Sequence, residues 1–87
     1  MFISPFVASP EPVIRRLLTM AELKPGEIFV DLGAGDGRPV IMAAKEFGAF
    51  AIGIELREDL AKQAMKKITE LGLQDKVKII HDDLFNV

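Results

Sequence analysis

The stretch Asp31-Leu32-Gly33-Ala34-Gly35-Asp36-Gly37-Arg38 sets an acid two residues ahead of three alternate glycines. Glycines at such a place let the chain turn sharply and bring its backbone against a ligand with no Cβ in the way. Two further acidic points follow: Glu55, eighteen residues beyond Gly37, and the pair Asp82-Asp83. A carboxylate has two acceptor oxygens and a ribose diol two donors, so Glu55 stands where an acid that takes both ribose hydroxyls is expected. Each feature also has a plain reading: a tight strand-to-helix turn for the loop, a helix N-cap for Glu55, turn chemistry for the Asp pair. Loop and acid together favour a ligand over three independent coincidences.

Spacing narrows the ligand. A dinucleotide fingerprint reads G-x-G-x-x-G/A, and counting from Gly33 its third small residue falls on Arg38. The strict NAD pattern therefore fails. No G-x-x-x-x-G-K-[ST] occurs either, so the loop is not a triphosphate cradle.

The elements that must carry these residues can be read from periodicity. Ile28-Phe29-Val30-Asp31-Leu32 is a short run of strand formers, apolar on both faces, as in a parallel strand covered on each side. Pro39 to Phe47 reads as a helix closed by Gly48, and Phe50 to Ile54 as the next strand. Arg57 to Leu71 has Leu60, Ala61, Ala64, Met65, Ile68 and Leu71 on one face, Lys62, Gln63, Lys66 and Lys67 on the other, and Gly72 as its αL end. Val77-Lys78-Ile79-Ile80 is the third strand. Upstream, residues 1–9 read as irregular, and Ser9-Pro10-Glu11 reads as the start of a helix with Ser9 as N-cap and Pro10 in the first helical position. The order α-β-α-β-α-β predicts a Rossmann-like, three-layer α/β/α arrangement: half of a doubly wound parallel sheet, strands ordered 3-2-1, preceded by an N-terminal helix.

The acid-x-Gly-x-Gly-x-Gly loop resembles the cofactor motif of class I S-adenosylmethionine (SAM)-dependent methyltransferases. That resemblance implies that Asp31 faces the methionyl ammonium, which an acid suits and a pyrophosphate would not. It also implies that Gly33 and Gly35 let the backbone pass close to the methionyl part, that Asp36 and Arg38 border the cofactor carboxylate, that Ala34, Gly37 and Leu56 belong to the cofactor site, and that Glu55 accepts the ribose hydroxyls. In the usual Gly-Asp-apolar-apolar pattern after the third strand, the acid takes the adenine amino group. Asp83 matches it with Leu84 beside it, while Asp82 holds the glycine place, so both aspartates stay candidates. The implied cofactor is SAM, with S-adenosylhomocysteine as product.

The opening Ser4-Pro5-Phe6-Val7-Ala8-Ser9-Pro10-Glu11 with the Asp-Gly-Arg loop is similar to small archaeal-type protein-lysine methyltransferases, over nearly the whole chain. This implies a protein substrate. Pro39, after Asp-Gly-Arg, departs from the aliphatic residue expected there. Methyltransferases of this class continue with a fourth strand beside the first, so residues 1–87 read as a single, incomplete SAM-binding domain. Residues 28–32 are then expected to present an open edge, available to a second copy or a complementary chain. A non-catalytic SAM or nucleoside-binding module is the alternative, and an NAD-dependent oxidoreductase fragment a weaker one.

Composition fits this. Eighty-seven residues make one small domain, 49% hydrophobic and 28% charged, which argues against disorder. Eleven basic against thirteen acidic residues leave no excess for a polybasic membrane or duplex-binding surface, so neither membrane nor nucleic acid is the expected partner. There is no cysteine, hence no disulfide and no thiolate metal site, and a cytoplasmic protein is the default expectation. His81, the single histidine, reads as a packing or surface residue before a general base. No residue has the surroundings of a catalytic base, so no catalytic residue is named.

Overall fold

A computed structural model describes residues 1–4 and 9–82. Strand β1 (Phe2–Ser4) is followed by α1 (Glu11–Met20), β2 (Ile28–Leu32), α2 (Arg38–Phe47), β3 (Phe50–Glu55), α3 (Glu58–Glu70) and β4 (Val77–His81). The four strands form one parallel sheet in the order β1-β2-β3-β4. Strands β4, β3 and β2 are thus the expected 3-2-1 half of a Rossmann-like α/β sheet.

Two expectations about the N-terminus are corrected. Residues 2–4 are not irregular: they pair with β2 in the register Phe2↔Phe29, Ile3↔Val30 and Ser4↔Asp31. The edge of residues 28–32, expected to be open, is therefore occupied over three of its positions, because a buried-type strand with bare N–H and C=O groups takes the nearest chain that can satisfy them. Helix α1 is capped by Pro10, in a polyproline-like conformation (φ −59°, ψ 151°), not by Ser9. The Pro10 carbonyl accepts from Val13 and Ile14, and Pro12 is the proline in the first turn, where no N–H is needed.

Register decides which face is buried. Phe29, Ala51 and Val77 lie in one row across the sheet, and Ser4, Asp31, Gly53 and Ile79 in the next row on the same face. All of these are buried, and they share one core with Ile14 and Leu18 of α1, Val40 and Ala43 of α2, and Ala61, Ala64 and Ile68 of α3. Phe29 stacks on Phe2 with ring centroids 5.4 Å apart. The alternate positions are half-exposed or exposed: Ile3 54%, Ile28 42% and Phe50 48%, with Val30, Leu32, Ile52 and Ile54 partly covered. This follows from topology. Each crossover moves to the next strand in the same direction, and right-handed crossovers in one direction keep every helix on one side. Of the three expected layers, the described residues supply two, the sheet and one helical layer. No helix among them is long and apolar enough to cross a membrane.

Candidate functional site

All four strands are parallel, so the turns that follow β2, β3 and β4 gather at one edge, the carboxyl end of the sheet. The glycine loop follows β2, Glu55 ends β3, and Asp82 follows β4. The loop and Glu55 are residues that spacing singles out, and Asp82 is one of the two aspartates that the resemblance implies.

The loop is held from its own backbone. Gly33 and Ala34 both donate to the Ile54 carbonyl, at 2.7 and 3.1 Å, and Gly37 donates back to Ala34 at 3.0 Å. Gly37 then caps α2 in the left-handed region (φ 90°), and its carbonyl accepts from Ile41. A Cβ at Gly37 would lie 3.0 Å from that of Ala64, so backbone angle and packing both require glycine. A Cβ at Gly35 would meet nothing within 4 Å, which leaves this stretch of backbone open to an approaching ligand.

Glu55 reaches across to the loop. It is 6% exposed; its Oε1 accepts from Gly35 N–H at 2.7 Å and its Oε2 from Arg57 N–H at 2.8 Å. The N-cap position of α3 belongs to Arg57, which settles the plain reading of Glu55 against it. Each carboxylate oxygen keeps a further lone pair, so Glu55 can brace the loop and still accept from a ligand hydroxyl.

Asp31 differs from every other acid among the described residues. It is fully buried, and neither carboxylate oxygen has a hydrogen-bond partner there. Burial, and after it the charge of Glu55, push its carboxyl up to about 7. An ionisable group left without partners in a core is costly unless something else pairs with it.

The remaining expected residues are placed as follows. Ala34 is buried under the loop. Asp36 accepts from Arg38 N–H and Nε at 3.3 Å and lies 4.0 Å from Lys67 Nζ, so it is tied to charges around the entry of α2. Leu56 is exposed, and its carbonyl sits 3.1 Å from His81 Nε2, which gives that histidine a structural contact. Asp82 donates its N–H to the Glu55 carbonyl at 3.0 Å, extending the β3–β4 ladder to the same edge. Asp83 and Leu84 lie outside the described residues. No group of three or more metal-ligating side chains occurs among the described residues.

Sequence reasoning passed over Gly53. A Cβ there would come within 2.7 Å of Ala34 Cβ and 2.8 Å of Ile79 Cδ1, so its absence lets the loop settle onto the sheet. A glycine inside a strand is a signal of close approach, and it was legible at this position. A groove of about 390 Å³ lies away from the loop, beside α1 and β1, and is lined by Phe2, Ile14, Leu17, Leu18 and Phe29 among others. It has no charged side chain and belongs to helix packing rather than to this site.

Three features would suit a SAM-type ligand: the buried Asp31 carboxylate without a partner, the open backbone at Gly35, and the two carboxylate oxygens of Glu55. Comparison with known proteins agrees. The family described as Mycolic acid cyclopropane synthetase (CMAS) matches residues 10–87. The chain is 37% identical over 84 residues to a protein-lysine N-methyltransferase of Saccharolobus islandicus, covering 95% of this chain and 52% of that protein. It is 35% identical over 83 residues to the human ATP synthase C-subunit lysine N-methyltransferase, covering 95% of this chain and 35% of that protein. The crystal structure of an RNA methyltransferase from Salinibacter ruber in complex with S-adenosyl-L-homocysteine superposes with a TM-score of 0.86 at 43% identity, covering 93% of this chain and 53% of that one. The chain spans between about a third and about half the length of these relatives. It belongs to the CMAS family, and with it to the SAM-dependent methyltransferases.

Proposed function

We propose that this chain binds SAM as the cofactor half of a class I methyltransferase, and that the complete enzyme transfers the methyl group to protein lysine in the cytoplasm. The observation that carries the cofactor reading is the buried, unpartnered Asp31 carboxylate at the base of a glycine loop braced by Glu55. In this reading Asp31 faces the methionyl ammonium, and Gly33 to Gly37 lend backbone to the methionyl part. Glu55 and Leu56 meet the ribose, and Asp82 or Asp83 with Leu84 the adenine.

Bound SAM would supply an activated methyl sulfonium, so the protein contributes mainly position and exclusion of water. Ionised Asp31 and Glu55 would hold the cofactor by its ammonium and its ribose, the two ends that flank the reacting sulfur. The contacts to the acceptor are proposed to lie outside the part of these relatives that the chain matches.

Photo-crosslinking with methyl-labelled SAM tests the binding. Label on a peptide containing residues 31–38, competed by S-adenosylhomocysteine and not by NAD, is the expected result; label competed only by NAD would overturn it. The lysine reading draws support from the Saccharolobus and human relatives. The Salinibacter neighbour favours a second reading, RNA as acceptor. A labelled transfer assay offering lysine-rich protein and ribosomal RNA side by side, with the chain joined to its complementary half, separates them: incorporation into RNA alone would replace lysine by RNA.

A further inference from the structure

The turn from β3 into α3 carries Glu55, Leu56 and Arg57, and the side chains of Leu56 and Arg57 do not anchor it to the core. Leu56 is exposed, and the Arg57 guanidinium pairs with Asp59 out in solvent at 2.7 Å. The turn therefore depends on polar contacts, and two of these come from β4. Asp82 donates its N–H to the Glu55 carbonyl at 3.0 Å, and His81 places Nε2 3.1 Å from the Leu56 carbonyl. A carbonyl oxygen can only accept, so the ring nitrogen facing it is the one that carries hydrogen. His81 is also the register partner of Glu55, so the two side chains leave the same end and the same face of the sheet.

The Leu56 carbonyl and the Arg57 N–H belong to one planar, trans peptide unit. They point in opposite directions from it, so whatever aims the carbonyl also aims the N–H. That N–H donates to Glu55 Oε2 at 2.8 Å, and Glu55 Oε1 accepts from Gly35 N–H at 2.7 Å. A continuous chain of hydrogen bonds thus runs from the His81 ring, through one peptide and one carboxylate, to the open stretch of the glycine loop. Linked hydrogen bonds of this kind polarise one another.

We propose that His81 is a positioning residue for the cofactor site: its Nε2–H fixes the Leu56–Arg57 peptide, which sets the Glu55 carboxylate that braces Gly35. The proposal rests on the methyltransferase reading above, and it gives the single histidine a role exerted through Glu55. The ring acts by its donor atom and not by its bulk. Loss of the donor is therefore felt at two amides that His81 does not touch, those of Arg57 and Gly35, and in cofactor affinity.

Two substitutions separate the donor from the ring. His81→Phe keeps an aromatic ring and removes the donor, whereas His81→Gln removes the ring and keeps an N–H. The 87-residue chain and both variants are titrated with S-adenosylhomocysteine, and amide exchange is followed residue by residue. His81→Phe is expected to weaken binding about three- to tenfold, the range for one net hydrogen bond. Exchange of the Arg57 and Gly35 amides should speed up by a similar factor, while the amides of β2 and α2 keep their rates. His81→Gln is expected to stay within about twofold of the original chain on both measures. A loss with His81→Gln as large as that with His81→Phe, or larger, would overturn the proposal, because the ring and not its donor would then matter. So would equal exchange at Arg57 and Gly35 in all three chains. If the original chain takes up no S-adenosylhomocysteine while exchange at the two amides still follows the donor, the proposed function fails and the His81 tether stands.

Discussion

Glu55 Oε1 accepts the Gly35 amide at 2.7 Å, and this one contact joins the end of β3 to the middle of the glycine loop. The second oxygen fixes Arg57 N–H at 2.8 Å, so a single side chain sets both the loop and the entry to α3. A site whose parts are positioned by one buried acid should lose cofactor affinity and local order together when that acid changes.

Glu55→Gln is expected to weaken S-adenosylhomocysteine binding at least about tenfold and to cost about 1.5–3 kcal/mol of stability, the range for hydrogen bonds to a charged group. The amide can accept only through its oxygen, so one of the two N–H donors is left facing an NH2 group. Hydrogen exchange distinguishes the effects: the Gly35 and Arg57 amides should lose protection while α1 and β4 keep theirs. Unchanged exchange at both amides would contradict the bracing role.

Asp31 predicts a pH dependence. Its carboxyl is raised in the fold from an ordinary 3.8 to about 7, so between these values the folded chain holds a proton that the unfolded chain has released. The Asp31 contribution to folding stability should therefore be fully present below about pH 4, be lost as pH rises through about 7, and level off above it. Three pH units correspond to an upper bound of about 4 kcal/mol. Urea unfolding of the ligand-free chain between pH 5 and 8 measures the slope. Asp31→Asn, which keeps the shape and cannot ionise, should flatten it and be the more stable protein at pH 8. A slope of opposite sign, or one that survives the substitution, would contradict the assignment.

Gly53→Ala should cost about 1–3 kcal/mol, since the new methyl has to displace Ala34 or Ile79 in a packed core. Ala34 belongs to the proposed cofactor loop, so the substitution should also lower cofactor affinity by displacing that loop, although Gly53 itself is not a proposed binding residue. Thermal unfolding and S-adenosylhomocysteine titration of the same variant check both parts.

The single helical layer gives a paired expectation. Phe29 is fully buried and Phe50, in the neighbouring strand, is 48% exposed on the opposite face, which no helix among the described residues covers. Phe29→Ala should cost about 3–5 kcal/mol, and Phe50→Gln about 0.5 kcal/mol or less in the chain alone. Equal losses would mean that both faces of the sheet are covered.

Strands β2, β3 and β4 were legible within a residue because their apolar runs are short and bounded by glycine or charged residues, and Gly48 and Gly72 marked helix ends through their αL role. The loop and Glu55 were legible because their chemistry depends on local spacing. What could not be read was long-range. Nothing local in Phe2-Ile3-Ser4 announces a strand, since its pairing answers a need of residues 29–31 rather than a pattern of its own. The exposure of the second sheet face among the described residues was hidden for the same reason: Ile28, Val30 and Leu32 are apolar whether or not a helix lies over them. Pro10 and Pro12 shifted the start of α1 because two prolines offered two alternative first turns. Of the two aspartates proposed for adenine, Asp82 lies at the carboxyl edge of the sheet and Asp83 lies outside the described residues.

Isothermal titration of the 87-residue chain with S-adenosylhomocysteine, SAM and NAD tests the central claim most directly. Saturable one-to-one binding of the first two, abolished by Glu55→Ala, with no heat from NAD at the same concentrations, is the predicted result. Binding of NAD while both sulfur ligands stay silent on a folded chain would contradict it.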